Sequence, residues 1–205
     1  MVKISRGNAK MGAIPSVSLP AGLTCRHDCE CQKMCYAKKL CRFRKTVKES
    51  YETNYKILKE DPDTYWREVE ASIMMSRFFR FHVSGDIPDL EYFQKMVEVA
   101  RRNRHCQILV FTKQYEIVNC YFEQAYSGVM DTIPENLHVI YSGWRGLTMD
   151  NPFRFPEAHV RYRDGTTTAD EEIAKECGGN CTECGGSNDG CWSLRRGEQI
   201  VFEEH

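Results

Sequence analysis

Apolar residues recur along the middle of this chain in two rhythms, one of 3.6 residues and one of two. Val47, Tyr51, Tyr55 and Leu58 fall on one face at helical spacing and predict a helix over residues 47–58. Asp61-Pro62-Asp63 then marks a stop and a new start, with proline at a first helical position and acids at the positive end of the dipole. The second predicted helix runs to Met75 and buries Trp66, Val69, Ile73 and Met74. Residues 78–84 switch to a period of two. Phe79, Phe81 and Val83 are expected on one face, and Arg80, His82 and Ser84 on the other. A helix over 89–103 follows, with Leu90, Phe93, Met96, Val97 and Ala100 as its apolar stripe. Further strands are expected at 108–111, 137–141, 158–162 and 199–202, with a helix at 116–126.

Strands alternating with helices of this length imply βαβ units and a parallel sheet. The units are too few for a closed eight-stranded barrel of about 250 residues. The expected fold is therefore α/β, a partial (βα) barrel or open parallel sheet. It is read as a single domain, with a βα core over 46–165 between cysteine-rich segments at 1–45 and 166–205. The first 24 residues are punctuated by Gly7, Gly12, Pro15, Pro20 and Gly22, and read as an extended lead-in. In such sheets the loops after the strand C-terminal ends line the site. That rule places Ser84-Gly85-Asp86, Thr112-Lys113 and Ser142-Gly143-Trp144 on one rim.

Composition adds one decisive feature. The 41% hydrophobic and 28% charged residues describe an ordinary globular chain, and a net charge of −1 exerts no global pull on nucleic acid or acidic membranes. No stretch is apolar enough to span a bilayer. Lys3, Arg6, Asn8 and Lys10 interrupt any signal-peptide core, so no membrane partner is expected and the location expected is cytoplasmic. Eleven cysteines in a reducing compartment are not expected to pair as structural disulfides. Nine of them lie in two groups at ligand-like spacings, which points to metal.

The C-terminal group, Cys177, Cys181, Cys184 and Cys191, supplies four thiolates within fifteen residues. Thiolates are soft ligands for zinc or iron–sulfur clusters. Zinc sites often use two separated C-x2-C pairs, and only one is present, which favours iron–sulfur over a closed zinc site. The N-terminal group, Cys25, Cys29, Cys31, Cys35 and Cys41, holds more thiols than one tetrahedral ion needs, with Cys41 the expected bystander. Nine thiols exceed the needs of one 4Fe-4S cubane. Two clusters are the simplest arrangement, and one larger assembly held from both ends is the other.

Ser18 through Cys25, Cys31-x3-Cys35-Tyr36-Ala37, Phe79 through Asp86, Phe111-Thr112-Lys113, Cys177 through Cys181, Gly190-Cys191-Trp192 and Glu198 through His205 together resemble the phage gene-product-eighty-eight family. The resemblance spans nearly the whole chain and implies a phage or prophage protein in a host cytoplasm. Its pattern calls for Cys25, Cys31 and Cys35, with Cys29 and Cys41 as additions here. A more distant similarity is to radical SAM enzymes, in which three cysteines hold a cluster with an open iron. There Ser84, Gly85 and Asp86 would contact the S-adenosylmethionine amine. The spacing departs from that pattern, because C-x3-C-x2-C occurs only at Cys177, Cys181 and Cys184.

Asp86, His82 and Lys113 are the catalytic candidates, each with a plainer reading: a helix cap, a hydrogen-bonded surface group and an ordinary rim lysine. Cys106 and Cys120 are read as core thiols, and His27 as a solvated loop residue. Trp144 and Trp192 are candidates to shield a cluster. The expectation is an iron–sulfur protein of redox or radical type, acting on a small-molecule substrate or taking electrons from a donor. The alternative is a zinc-stabilised nucleic-acid-binding or interaction module, for which the basic run Lys38, Lys39, Arg42, Arg44, Lys45 and Lys48 is the motive.

Overall fold

In the computed structural model, which describes residues 1–187 and 190–204, seven strands form one open parallel sheet. Of the family-like stretches, only His205 of the closing one lies outside the described residues. The strands are β1 (Ser16–Val17), β2 (Phe78–Phe81), β3 (Gln107–Thr112), β4 (Leu137–Ser142), β5 (Glu157–Arg161), β6 (Lys175–Glu176) and β7 (Gln199–Glu203). Their order across the sheet is β1-β2-β3-β4-β5-β7-β6. Two-residue strands stand at both edges, so the sheet does not close. The helices are α1 (Tyr36–Phe43), α2 (Lys45–Glu60), α3 (Pro62–Met74), α4 (Leu90–Arg102), α5 (Tyr115–Tyr126) and α6 (Cys181–Gly186).

Local chemistry sets the helix starts. Asp61 caps α3 by accepting from Thr64 N at 3.0 Å, with Pro62 in the first turn where its missing N–H costs nothing. Asp89 caps α4 by accepting from Tyr92 N at 2.8 Å. The cap expected of Asp86 therefore falls three residues later.

The period of two sorts the sheet's side chains onto two faces. Phe79, Phe81, Ile108, Val110, Val139 and Tyr141 pack beneath the helices with Tyr65, Val69, Phe93, Met96 and Val118. The opposite face presents Leu109, Ile140, Ala158 and Ile200. It is covered by the two end segments of the chain, through Met11 and Ile14 from one and Cys191, Trp192 and Leu194 from the other. The segments are joined directly: Cys181 N donates to Lys10 O at 3.1 Å and Thr182 Oγ1 to Met11 O at 3.1 Å.

Alternation in β2 stops earlier than the sequence predicts. The strand ends at Phe81, and His82 turns into the left-handed region at φ 59°. His82 consequently leaves the face of Arg80 and packs its ring 5.4 Å from Tyr92 and 5.8 Å from Phe81. Among the thiols read as core, Cys106 is fully buried, but Cys120 is exposed on α5.

Candidate functional site

The strand ends at β2, β3 and β4 are tied into one rim by hydrogen bonds. Thr112 Oγ1 donates to Asp86 Oδ1 at 2.6 Å, and Lys113 N to Asp86 Oδ2 at 2.9 Å. Ile87 N donates to the same carboxylate at 2.8 Å. Lys113 Nζ reaches Ser142 Oγ at 2.7 Å, and Tyr115 donates to Ser142 O at 2.6 Å. Burial pushes the Asp86 carboxyl up, although these donors oppose it. Asp86 is thus a clamp between strand ends.

The N-terminal thiols are fastened to this rim. Asp86 N donates to Thr24 Oγ1 at 3.0 Å, and Gln114 Nε2 to Thr24 O at 3.1 Å. Arg26 donates to Lys113 O at 2.8 Å and pairs with Asp28 and Glu116. Gly85 (φ +80°) allows the approach, since a Cβ there would stand 2.7 Å from Thr24 Oγ1 and 2.8 Å from Leu19 O. Cys25 accepts from Gly22 N at 3.4 Å, and burial pushes its thiol up to about 11. Cys29 and Cys31 flank the start of a short 3-10 turn at 30–33, with their sulfurs 2.7 Å apart. The bond from Cys31 pulls Cys29 down to about 7, with Lys113 and Arg26 assisting, and Cys31 is driven up in return. Cys35 sits at the start of α1, as its N-cap residue.

The C-terminal thiols gather on the sheet face away from the helices. Cys177 follows β6 and its N–H bonds Val201 O at 2.9 Å. Asn180 caps α6 by accepting from Thr182 N and Glu183 N, which starts the turn carrying Cys181 and Cys184. Cys191 is buried, and burial, then the field of Cys177, pushes its thiol up to about 12, with Cys181 and Cys184 adding to the effect. Gly190 (φ +91°) lets the chain pass Cys184, because a Cβ there would stand 2.8 Å from its sulfur. Trp192 closes the group, donating from Nε1 to Cys181 O at 3.3 Å and packing 5.0 Å from Phe78. Arg80 lies over Phe111 at 4.8 Å, and its charge acts on both Cys191 and Tyr36, the neighbour of Cys35.

The sequence candidates therefore separate. Cys25, Cys29, Cys31 and Cys35 share the rim with Lys113 and Asp86. Cys177, Cys181, Cys184 and Cys191 form the second group. His82 belongs to neither; burial lowers its pKa to about 3, and both ring nitrogens and Ser84 Oγ are buried without a hydrogen-bond partner among the described residues. Arg26 and Tyr115 escaped the sequence reading, though a cation directly after Cys25 was a signal for the first. Every cysteine is a free thiol. Among the described residues, no three Cys, His, Asp or Glu side chains stand at ion-binding geometry, so the thiols are gathered but not preformed into a cage.

The model of a family described as "Gene product 88" matches residues 2–189. The "Gene 88 protein" of Mycobacterium phage L5 is 30% identical over 121 residues, covering 52% of this chain and 51% of that protein. The chain thus matches about half the length of that relative. No solved structure matches it.

Proposed function

The chain belongs to the gene product 88 family, and we propose that it is an iron–sulfur protein of redox type whose reactive centre lies at the rim. One observation supports this reading: eight free thiols collect into two separate groups, each beside a fixed cation. The donor set fits, since thiolates are the ligands iron–sulfur clusters use and Lys113, Arg26 and Arg80 offset their charge. Cys25, Cys31 and Cys35 would hold the rim group, with Cys29 as fourth donor or proton-bearing neighbour. Cys177, Cys181, Cys184 and Cys191 would hold the second. Such a group supplies one-electron exchange when bound.

The chain's own residues have definite parts in this reading. Lys113, held by Ser142, sets a positive charge beside Cys25, Cys29 and Cys31. Trp192 and Phe78 exclude water from the second group. S-adenosylmethionine does not fit Ser84-Gly85-Asp86 as arranged. Both Asp86 oxygens already accept bonds, and Gly85 is packed against Leu19 and Thr24.

Anaerobic purification with iron, sulfide and zinc analysis tests the proposal. Brown protein is expected. Cys31→Ala or Cys35→Ala should remove one share of the iron, Cys181→Ala another, and Cys106→Ala none. Colourless protein with stoichiometric zinc would overturn the iron assignment.

A further inference from the structure

The run from Lys38 to Lys48 carries six basic residues and no acid, in a chain whose net charge is −1; the rest of the molecule therefore carries −7. The structure places this run on α1 and the first turn of α2, immediately beyond Cys35. Lys39, Arg42, Arg44 and Lys45 are all exposed, and none of the four makes an ion pair among the described residues. The other surface cations of this molecule commonly do: Lys56, Lys95, Arg101, Arg102, Arg145 and Arg161 each have an acidic partner.

Set among these cations are two exposed aromatic rings. Phe43 is 85% exposed, and Tyr36 is 51% exposed although its hydroxyl reaches in to Val83 O. They are seven residues apart, hence on one face of α1, with Lys39 between them. At 1.5 Å per residue their separation along the axis is about 10 Å. Stacked nucleotides rise about 3.4 Å each, so three fit that span. A folded chain has no packing reason to leave a phenylalanine open between two arginines. Aromatic platforms alternating with unpaired cations are what a single nucleic-acid strand needs, because its bases offer π faces and its phosphates offer charge. An acidic protein would satisfy the cations alone.

We propose that α1 and its junction with α2 form a binding surface for single-stranded nucleic acid, with Phe43 and Tyr36 as stacking platforms and Lys39, Arg42, Arg44 and Lys45 as phosphate contacts. The surface does not depend on what the thiols hold.

Fluorescence anisotropy with a labelled twelve-nucleotide single strand tests it, against the matching duplex and a polyglutamate peptide. Binding is expected at low salt, with log K falling against log salt at a slope of about −2.8 for four contacts. Arg42→Glu with Arg44→Glu should weaken binding more than about tenfold and flatten that slope by about 1.4. Phe43→Ala should weaken it about 5- to 150-fold with the slope unchanged. Circular dichroism of these surface variants should match the parent. Absence of binding at low salt would overturn the proposal. So would an equal or tighter grip on the duplex, equal competition by polyglutamate, or an unchanged affinity in Phe43→Ala.

Discussion

Gly190 offers a way to disturb the second thiol group without removing a thiol. A Cβ at this position would stand 2.8 Å from Cys184 Sγ and 3.1 Å from Cys184 Cβ. Ordinary carbon contacts begin near 3.4 Å, so the sulfur must give by about 0.6 Å in Gly190→Ala. Metal–ligand distances tolerate about 0.2 Å, so the displacement is about three times what a bound ion accepts. The backbone adds its own cost, since φ is +91° and a non-glycine residue on the left-handed side loses about 1–2 kcal/mol. Three variants separate the two effects. Gly186→Ala, with nothing within 4 Å of its Cβ, should bind metal as the parent does. Gly190→Asn relieves part of the backbone cost, because asparagine tolerates this region, but it keeps the clash with sulfur. Iron per chain, read in a Cys35→Ala background that isolates the second site, should fall in both Gly190 variants and hold in Gly186→Ala. Full iron in Gly190→Ala would refute the placement of Cys184 as a ligand. Recovery in Gly190→Asn would assign the loss to the backbone.

Two further outcomes follow from groups remote from the thiols. Asn136 Nδ2 donates to Ala100 O, Asn103 O and Cys106 O at 2.9–3.1 Å, and its side chain is buried. Asn136→Ala should cost about 2–3 kcal/mol in urea unfolding, and Asn136→Asp more, since it turns a carboxylate toward three carbonyls; a loss below about 1 kcal/mol would contradict the network. The guanidinium of Arg102, 2.8 Å from both Glu70 oxygens, holds that carboxyl below its ordinary value, with Asn103 assisting. A depressed folded pKa gives stability that is present above the ordinary value of about 4.3 and lost as pH falls through the folded one. Glu70→Gln should therefore cost about 0.5–1 kcal/mol at pH 7, because the pair is half exposed, and nothing once the carboxyl is protonated; a gap that persists in acid would refute the assignment.

What could be read from the sequence was whatever repeats locally. The stripe of Phe93, Met96, Val97 and Ala100 and the apolar run 108–111 declared a helix and a strand, and both formed within a residue or two. The grouping of thiols was equally open, because spacing within a short run survives any fold. Elements that depend on distant partners were not legible. β1 and β6 are two residues each and exist only through pairing with β2 and β7. α6, six residues containing two glycines, is held by its Asn180 cap and by residues 10 and 11. Alternation misplaced His82 because one left-handed residue ends the register. It likewise could not tell Asp86 from Asp89 as the cap, since both precede the same apolar stripe.

The bond between Thr182 and Met11 joins residues 171 positions apart, and it bears on the order in which the molecule is made. The rim thiols rest on β2, β3 and β4, so their surroundings exist once the chain through Ser142 has left the ribosome. The second thiol group waits for β7, and it then closes over residues that precede β1. Until that moment the stretch around Met11 and Ile14 has no cover, and the apolar face of the sheet beneath it stands open. Long-range closure of this kind is slow compared with helix formation. A chain stalled before β7 would therefore present a finished rim and an unfinished second thiol group.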